Sequence, residues 1–283
     1  MYIYLNDQII DSKEAKISVF DHGYLYGVGL FETFAIYDGH PFLLDDHFLR
    51  LQEGLKQIGI DWFMEKEEAV SILQQLLKAN RLKDAYVRWN VSAGPQEVGL
   101  FAGVYKEPTL TVLIKPLPAK RTIPKKVEIL ALRRNTPEGR VRLKSHHYLN
   151  NLLAKREMVH NSPDVEGVFL TEEGYVAEGL VSNLFWVKNG QVYTPSVATG
   201  ILNGVTRQFV ITLLRKANLK VEEGLYQLHE LEAADEIFMT NSIQELVPLI
   251  LEDNQIDDSR VFELLDREYQ LSKQKKLWSR YKL

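Results

Sequence analysis

A short run rich in proline and basic residues most limits how this chain can fold. Residues 115–124 contain three prolines, two lysines and one arginine. Proline fixes φ and has no backbone N–H, so several prolines close together are typical of a linker and not of a continuous helix or strand. Strand-like and helix-like segments follow one another on both sides of it. The sequence therefore predicts two α/β (α+β) domains, residues 1–115 and 125–283, joined by a linker over 116–124.

Hydrophobic periodicity predicts the elements of each domain. In the first domain it predicts strands over 2–5, 8–10, 17–20, 31–37, 41–43, 85–93 and 109–115, and helices over 44–58 and 65–80. In the second domain it predicts strands over 126–131, 165–170, 176–178, 183–187 and 236–240, and helices over 148–161 and 205–217.

Charge and composition exclude several classes of function. The net charge is −4, and there is no long basic run, so nucleic acid is not an expected partner. No stretch approaches the roughly 20 apolar residues of a membrane span, and the N-terminus does not resemble a signal peptide. Without cysteine the chain has no thiolate site, and its histidines lack metal-ligand spacing. We expect a cytoplasmic globular protein without a bound metal.

A glycine-bracketed loop leads into the helix predicted over 205–217. It runs from Gly200 to Gly204 and is followed by Val205 and Thr206. Backbone N–H groups at a helix N-terminus can bind phosphate, and the helix dipole favours the negative charge. This pattern is also typical of an ordinary turn, so both interpretations stay open at this point.

Two charged residues have sequence surroundings that suit chemistry but do not demand it. Lys144 lies where a loop meets a helix, a place where most lysines are surface charges. Glu178 is flanked by Ala177 and Gly179 and precedes an apolar strand. A buried carboxylate there would need a cation or a proton donor, whereas a turn residue would face solvent.

Seven segments taken together resemble the fold-type IV pyridoxal-phosphate family. That family contains branched-chain aminotransferases, D-amino-acid aminotransferases and 4-amino-4-deoxychorismate lyases. The segments occur in the family's order over nearly the whole chain, and they are 21–27, 29–33, 47–51, 143–155, 177–185, 204–207 and 240–242. The resemblance implies an α/β fold of two domains with the active site between them, a homodimer, and pyridoxal 5′-phosphate as cofactor.

The resemblance also assigns roles to individual residues. Lys144 matches the catalytic lysine that forms the Schiff base, and Glu178 matches the carboxylate that faces the pyridine nitrogen. Arg50 matches the arginine that binds the phosphate, for which a guanidinium fork is suited. The rest of the phosphate site is matched by Val205, Thr206, Asn241 and Ser242.

The substrate side distinguishes the branches of the family. The D-amino-acid enzymes use a tyrosine and an Arg-x-His pair on the substrate carboxylate, but this chain has Phe31 and Val98-Gly99-Leu100 there. Tyr86 and Arg88 match a Tyr-x-Arg pair of branched-chain aminotransferases. Ala35 occupies a position where branched-chain aminotransferases usually have arginine and the lyases often do, so it departs from both patterns.

The segments 86–95, 98–100, 21–29 and 240–245 are most similar to the Bacillus-type 4-amino-4-deoxychorismate lyases. The resemblance therefore implies elimination of pyruvate to give 4-aminobenzoate. Arg88 is the candidate for a substrate carboxylate, and Thr33 and Tyr26 are candidate pocket residues. An aminotransferase of the same family and a non-catalytic binding protein that kept the fold are the alternatives.

Overall fold

The computed structural model describes residues 1–158, 162–251 and 260–283. The chain forms two compact units. Unit 1 contains Met1–Pro118, Leu143–His147 and Lys276–Leu283, and unit 2 contains Ala119–Arg142 and Tyr148–Lys275. The limits expected from sequence, 1–115, 116–124 and 125–283, stay predictions. Among the described residues, no helix has both the length and the apolar character needed to cross a bilayer.

Unit 1 is built on an antiparallel sheet. Its strands are β1 (Tyr2–Leu5), β2 (Gln8–Asp11), β3 (Gly29–Tyr37), β4 (His40–Pro41), β5 (Ala85–Ser92) and β6 (Thr109–Pro116). Within the described residues they lie in the order β2-β1-β6-β5-β3-β4. The helices are α1 (His22–Tyr26), α2 (Leu44–Gln57) and α3 (Lys66–Asn80). Apolar side chains of α2 and α3 pack against one face of the sheet and form the core of the unit.

Unit 2 is built on a mixed sheet. Its strands are β7 (Lys125–Ile129), β8 (Val165–Leu170), β9 (Val176–Gly179), β10 (Asn183–Lys188), β11 (Gln191–Pro195), β12 (Val221–Gly224), β13 (Glu236–Asn241) and β14 (Glu245–Ile250). Their order, for the part of the unit that is described, is β12-β11-β10-β13-β14-β7-β8-β9. The helices are α4 (Leu149–Glu157), α5 (Val205–Lys216), α6 (Leu228–Glu232) and α7 (Arg260–Gln274).

Local sequence explains the elements that carry the site. In β5, buried residues alternate with partly exposed ones, as a strand with one covered face requires. Helix α2 has Asp45 and Asp46 in its first turn, where they complement the helix dipole. Its end is followed by Gly59, whose φ of +72° is strained for other residues.

The α/β prediction is confirmed, and most predicted elements are present. The helices expected over 44–58, 65–80 and 205–217 are α2, α3 and α5. The helix expected over 148–161 is α4, and residues 159–161 lie outside the described part of the chain. Sequence periodicity missed the elements α1, α6, α7, β11, β12 and β14.

The strand predicted over 17–20 is wrong. Ser18 Oγ accepts the N–H of Phe20 at 3.1 Å, and the Ser18 carbonyl accepts the N–H of Asp21 at 3.1 Å. These local bonds close a turn in place of a strand ladder. The strand predicted over 41–43 is also displaced, since the chain pairs at His40–Pro41 and Leu43 has a left-handed φ of +56°.

Candidate active site

Lys144 is held beside an aromatic ring of β3. The Phe31 N–H donates to the Lys144 carbonyl at 2.9 Å, and Leu30 and Ser145 form an antiparallel bridge. The Lys144 Nζ atom lies 4.7 Å from the centroid of the Phe31 ring. An ammonium at this distance is attracted by the face of the ring. Backbone pairing with β3 therefore fixes where the amine of Lys144 is presented.

Arg88 shares the Phe31 ring with Lys144. Its Cζ atom lies 3.6 Å from the ring centroid, and its Nε donates to Asn90 Oδ1 at 2.9 Å. Thr33 is directly opposite Arg88 in the β3–β5 pair. Paired residues project from the same face of a sheet. Lys144 and Arg88, predicted for catalysis and substrate binding, thus share one aromatic side chain, and Thr33 lies on the same face of the sheet as Arg88.

Tyr26 is less closely connected to this group. Its hydroxyl accepts the N–H of Gly99 at 2.9 Å, and its carbonyl lies 3.2 Å from His147 Nε2. About a third of Tyr26 is exposed. The structure therefore ties Tyr26 to the segment around Gly99, and its predicted role in the substrate pocket stays a prediction.

His146 is a candidate site residue that no pattern in the sequence singles out. Its ring stacks on Phe31 with 6.2 Å between centroids, and it packs so closely over Gly29 that a Cβ there would collide with it. Burial, followed by the nearby Arg88, lowers the pKa of His146 to about 4. Its Nε2 is buried without a hydrogen-bond partner among the described residues. A neutral imidazole in this position can accept a hydrogen bond beside Lys144.

Arg50 is fixed by a buried carboxylate. Its Nε donates to Glu32 Oε1 at 2.7 Å and its Nη2 to Glu32 Oε2 at 2.6 Å. His47 Nδ1 lies 2.6 Å from the same Oε2 atom. Burial raises the pKa of Glu32, but Arg50 and then His47 outweigh it and hold that pKa at about 2. The bidentate pair sets the orientation of the guanidinium, as a phosphate-binding arginine requires.

The Glu32 cluster predicts a specific form of acid sensitivity. Because the folded pKa of Glu32 is about 2 and the ordinary value is 4.5, its stabilising contribution is present above pH 4.5. The contribution is lost as the pH falls from 4.5 toward 2. We expect Glu32→Gln to be less stable at neutral pH, and to lose less of its remaining stability across that range. Urea unfolding at a series of pH values measures both effects.

The exposed residue Glu67 of α3 provides the control for this experiment. Glu67→Gln should reproduce the wild-type pH profile. If Glu32→Gln lost stability in parallel with the wild type between pH 4.5 and 2.5, the buried cluster would not be the source of the acid sensitivity.

In unit 2, Glu178 is buried and paired with cations. Its Oε1 accepts from Arg134 Nε at 2.9 Å, and Arg142 Nε lies 3.9 Å from the same oxygen. Its Oε2 accepts the N–H of Leu202 at 3.0 Å. The sequence alone is compatible with either a buried or an exposed Glu178, and in the structure the side chain is 6% exposed. Two arginines and a backbone N–H thus hold the Glu178 carboxylate in one position.

Arg134 and Arg142 are further residues that sequence patterns did not mark. Arg134 Nη1 donates to Asn150 Oδ1 at 2.7 Å, and Arg142 Nε donates to the Gly200 carbonyl at 2.5 Å. Burial, and then the charge of Arg134, lower the pKa of Arg142. Both arginines come from a segment without regular structure, so only the fold reveals that they surround Glu178.

The residues predicted for the phosphate form a suitable cradle in unit 2. Val205 and Thr206 open α5, where the first backbone N–H groups have no intrahelical acceptor. Thr206 Oγ1 lies 3.1 Å from Ser242 Oγ, which brings the two predicted phosphate segments together. Asn241 Oδ1 accepts the N–H groups of residues 243 and 244 at 3.0 and 2.7 Å and shapes the second segment.

An unsatisfied hydroxyl at the same strand end supports this fit. Thr240 Oγ1 is buried and has no hydrogen-bond partner within the described residues. Buried hydroxyl groups are normally paired, and an unpaired one marks a place where a ligand can supply the partner. Hydroxyl and N–H groups can donate hydrogen bonds to a phosphate, and the positive end of the helix dipole favours its negative charge.

Comparison with known proteins decides the family. Residues 29–250 match the family described as amino-transferase class IV. The chain belongs to this family. Members of the class IV aminotransferase family depend on pyridoxal 5′-phosphate, and this chain is a pyridoxal-phosphate-dependent enzyme. The predictions of fold-type IV and of the cofactor are thereby confirmed.

Three relatives illustrate the range of the class IV family. Aminodeoxychorismate lyase of Bacillus subtilis (strain 168) is 50% identical over 249 residues, which are 87% of this chain and 85% of that protein. The branched-chain aminotransferase of Thermoproteus uzoniensis, solved with norvaline, has a TM-score of 0.85 and 27% identity, covering 96% of this chain and 94% of that one. The branched-chain aminotransferase of Escherichia coli has a TM-score of 0.83 and 25% identity, covering 95% and 94%.

Proposed function

We propose that this enzyme is a 4-amino-4-deoxychorismate lyase, which converts its substrate to 4-aminobenzoate and pyruvate. The observation that carries the proposal is the 50% identity to the Bacillus subtilis lyase over most of both chains. The grouping of Lys144 and Arg88 on Phe31 supports it, because a base and a carboxylate-binding guanidinium are placed on one small surface.

We propose that the cofactor is held by the chain's own residues as follows. Lys144 Nζ is the attachment point for the cofactor aldehyde. The Arg50 guanidinium and the Thr206 and Ser242 hydroxyls bind its phosphate, with the N–H groups of Val205 and Thr206. Asn241 keeps the Ser242 segment in shape. Glu178 would accept a hydrogen bond from the pyridine nitrogen, and two arginines hold its carboxylate in position.

The proposed chemistry assigns proton transfer to Lys144. When bound, the cofactor supplies an electron sink that stabilises negative charge at the substrate carbon C4. Lys144 Nζ, as the free amine, would remove the C4 proton as general base. The bond between C3 and the enolpyruvyl oxygen breaks, and the ring becomes aromatic. Lys144 then returns a proton to the methylene carbon of the enolpyruvate, which leaves as pyruvate.

Arg88 and its neighbours are proposed to orient the substrate. Arg88 binds a substrate carboxylate through its guanidinium, and Asn90 holds its Nε in place. Thr33, which lies opposite Arg88, contributes to the wall of the pocket. Tyr26 is proposed as a further pocket residue. The neutral imidazole of His146, which stacks on the Phe31 ring, offers a hydrogen-bond acceptor beside Arg88.

The substrate assay that tests the proposal separates two activities. Purified holoenzyme is incubated with 4-amino-4-deoxychorismate, and 4-aminobenzoate and pyruvate are quantified. We expect the two products in equal amounts. In parallel, the enzyme is incubated with branched-chain or D-amino acids and 2-oxoglutarate, and glutamate is measured. Efficient glutamate formation without release of pyruvate from aminodeoxychorismate would overturn the lyase assignment in favour of an aminotransferase.

We further propose that the enzyme is a homodimer. Gln96 N–H donates to the Phe20 carbonyl at 3.2 Å, and Asp21 bridges to Pro95, so two loops of unit 1 lie together. Exposed apolar side chains on these loops include Val19, Phe20, Val98 and Leu100, and Tyr24 of α1 is exposed beside them in sequence. Leu100 is 96% exposed. An exposed apolar surface of this kind is typical of a protein interface.

Charge introduced on these two loops should disrupt the dimer. We expect the wild type to have the mass of two chains in size-exclusion chromatography with light scattering, and Phe20→Asp combined with Leu100→Asp to have the mass of one. Ile123→Asp, at an exposed position in unit 2, is the control and should stay dimeric. A wild-type mass of one chain at micromolar concentration would refute the homodimer.

A further inference from the structure

Tyr269 of α7 lies behind the proposed phosphate cradle. Its side chain is fully buried, and its ring meets the Phe209 ring of α5 edge to face, with 5.5 Å between centroids. Its hydroxyl forms a side-chain hydrogen bond with Thr206, at the start of α5. Two contacts with the same helix therefore fix the phenol relative to the N-terminus of α5.

The Tyr269 hydroxyl remains a hydrogen-bond donor at all working pH values. Burial, and then the charge of Glu245, raise the pKa of Tyr269 well above its ordinary value. A protonated phenol can donate to Thr206 Oγ1. The hydrogen of the Thr206 hydroxyl is then available for a second acceptor, and Thr206 Oγ1 lies 3.1 Å from Ser242 Oγ. Hydrogen bonds in such a chain strengthen one another in a low-dielectric interior.

Helix α7 also holds the other phosphate segment. Glu245, which follows the Asn241–Ser242 segment, has a left-handed φ of +63°. Its carboxylate accepts from Gln270 Nε2 at 2.7 Å and is paired with Lys273, and both partners lie on α7. The same helix is thus connected to the Thr206 segment through Tyr269 and to the Ser242 segment through Glu245.

We propose that Tyr269 is a positioning residue for the cofactor phosphate. Its hydroxyl donates to Thr206 Oγ1 and directs the hydrogen of the Thr206 hydroxyl toward a phosphate oxygen. Tyr269 does not touch the phosphate and acts through Thr206. The inference rests on the cofactor of the family and on the proposed cradle, and it does not depend on whether the reaction is elimination or transamination.

The test compares two ligands that differ by the phosphate. Apo-protein of the wild type and of Tyr269→Phe is titrated with pyridoxal 5′-phosphate and with pyridoxal, and binding is followed by absorbance and tryptophan fluorescence. We expect the Kd for pyridoxal 5′-phosphate to rise about 10-fold, since one charge-assisted hydrogen bond is weakened. The Kd for pyridoxal should not change.

A matched control and a double-mutant cycle separate positioning from general damage. Tyr226→Phe removes another buried phenol of unit 2, which donates to the Glu222 carbonyl at 3.3 Å, and should leave both Kd values unchanged. In a Thr206→Val background, Tyr269→Phe should have no further effect on phosphate binding.

Three results would overturn the proposal. The first is wild-type affinity of a folded Tyr269→Phe for pyridoxal 5′-phosphate. The second is an equal loss of affinity for both ligands, which is what a purely structural role of the phenol predicts. The third is an additive effect of Tyr269→Phe and Thr206→Val. Circular dichroism and the melting temperature establish that each variant is folded.

Discussion

Replacing Lys144 with alanine is expected to lower kcat/KM for aminodeoxychorismate by at least about 10³-fold, with the fold intact. The proposed reaction needs the amine twice, as the attachment point for the cofactor and as the base at C4, and general acid–base catalysis alone contributes about 10²–10⁴-fold. The backbone contacts of Lys144 with β3 survive the substitution, because they involve only its carbonyl. Product formation and visible absorbance of the bound cofactor are the two readouts.

Lys115 provides the control for the effect of removing a lysine amine from unit 1. Its Nζ lies 4.5 Å from the Tyr86 ring centroid, so this lysine also lies over an aromatic ring. Lys115→Ala should retain both the activity and the absorbance. A Lys144→Ala variant with wild-type kcat, or one with an unchanged reducible cofactor linkage, would remove the basis for the proposed mechanism.

Substitution of Glu178 by glutamine is expected to have the second largest effect, lowering kcat by about 10²-fold. A neutral amide cannot hold the positive charge that the pyridine nitrogen needs, and it leaves Arg134 and Arg142 without their carboxylate. Breaking a buried ion pair from one side costs roughly 3–5 kcal/mol, so stability should also fall. Steady-state kinetics of cofactor-saturated enzyme and urea unfolding measure the two effects separately.

Glu166 allows the two effects of the Glu178 substitution to be distinguished. It is a buried carboxylate of the same unit, 3.1 Å from Lys125 Nζ, and it accepts from Ser182 Oγ at 2.8 Å. Glu166→Gln should lose stability to a similar degree and keep the wild-type kcat of the folded fraction. If both variants lost kcat equally, the loss at Glu178 would reflect damage to the fold and not contact with the cofactor.

Much of the fold could be predicted from sequence because its signals are local. The periodicity of α2 and the alternation in β5 are visible within a few residues, and both elements are present. The strand predicted over 17–20 is wrong because apolar residues suggest burial, whereas Phe20 is exposed and its N–H donates to Ser18 Oγ. An apolar run reports hydrophobicity, and it does not report whether a neighbouring strand is available.

The candidate site can be predicted only to the extent that the sequence resembles a known family. Lys144, Arg50 and Glu178 are found through ordered motifs. Their partners are not, because the Glu32 carboxylate, the two arginines around Glu178 and the Tyr269 phenol are brought close only by tertiary packing. His146 was visible in the sequence, but nothing local shows that its ring packs on Phe31.

Borohydride reduction followed by peptide mapping tests the central claim most directly. Holoenzyme is reduced, unfolded and digested, and the peptides are sequenced by mass spectrometry. We predict that the phosphopyridoxyl group is found on the peptide that contains Lys144, at the Lys144 Nζ atom, in a ratio of one per chain. Modification of a different lysine, or the absence of a reducible adduct in enzyme that is active, would contradict the account.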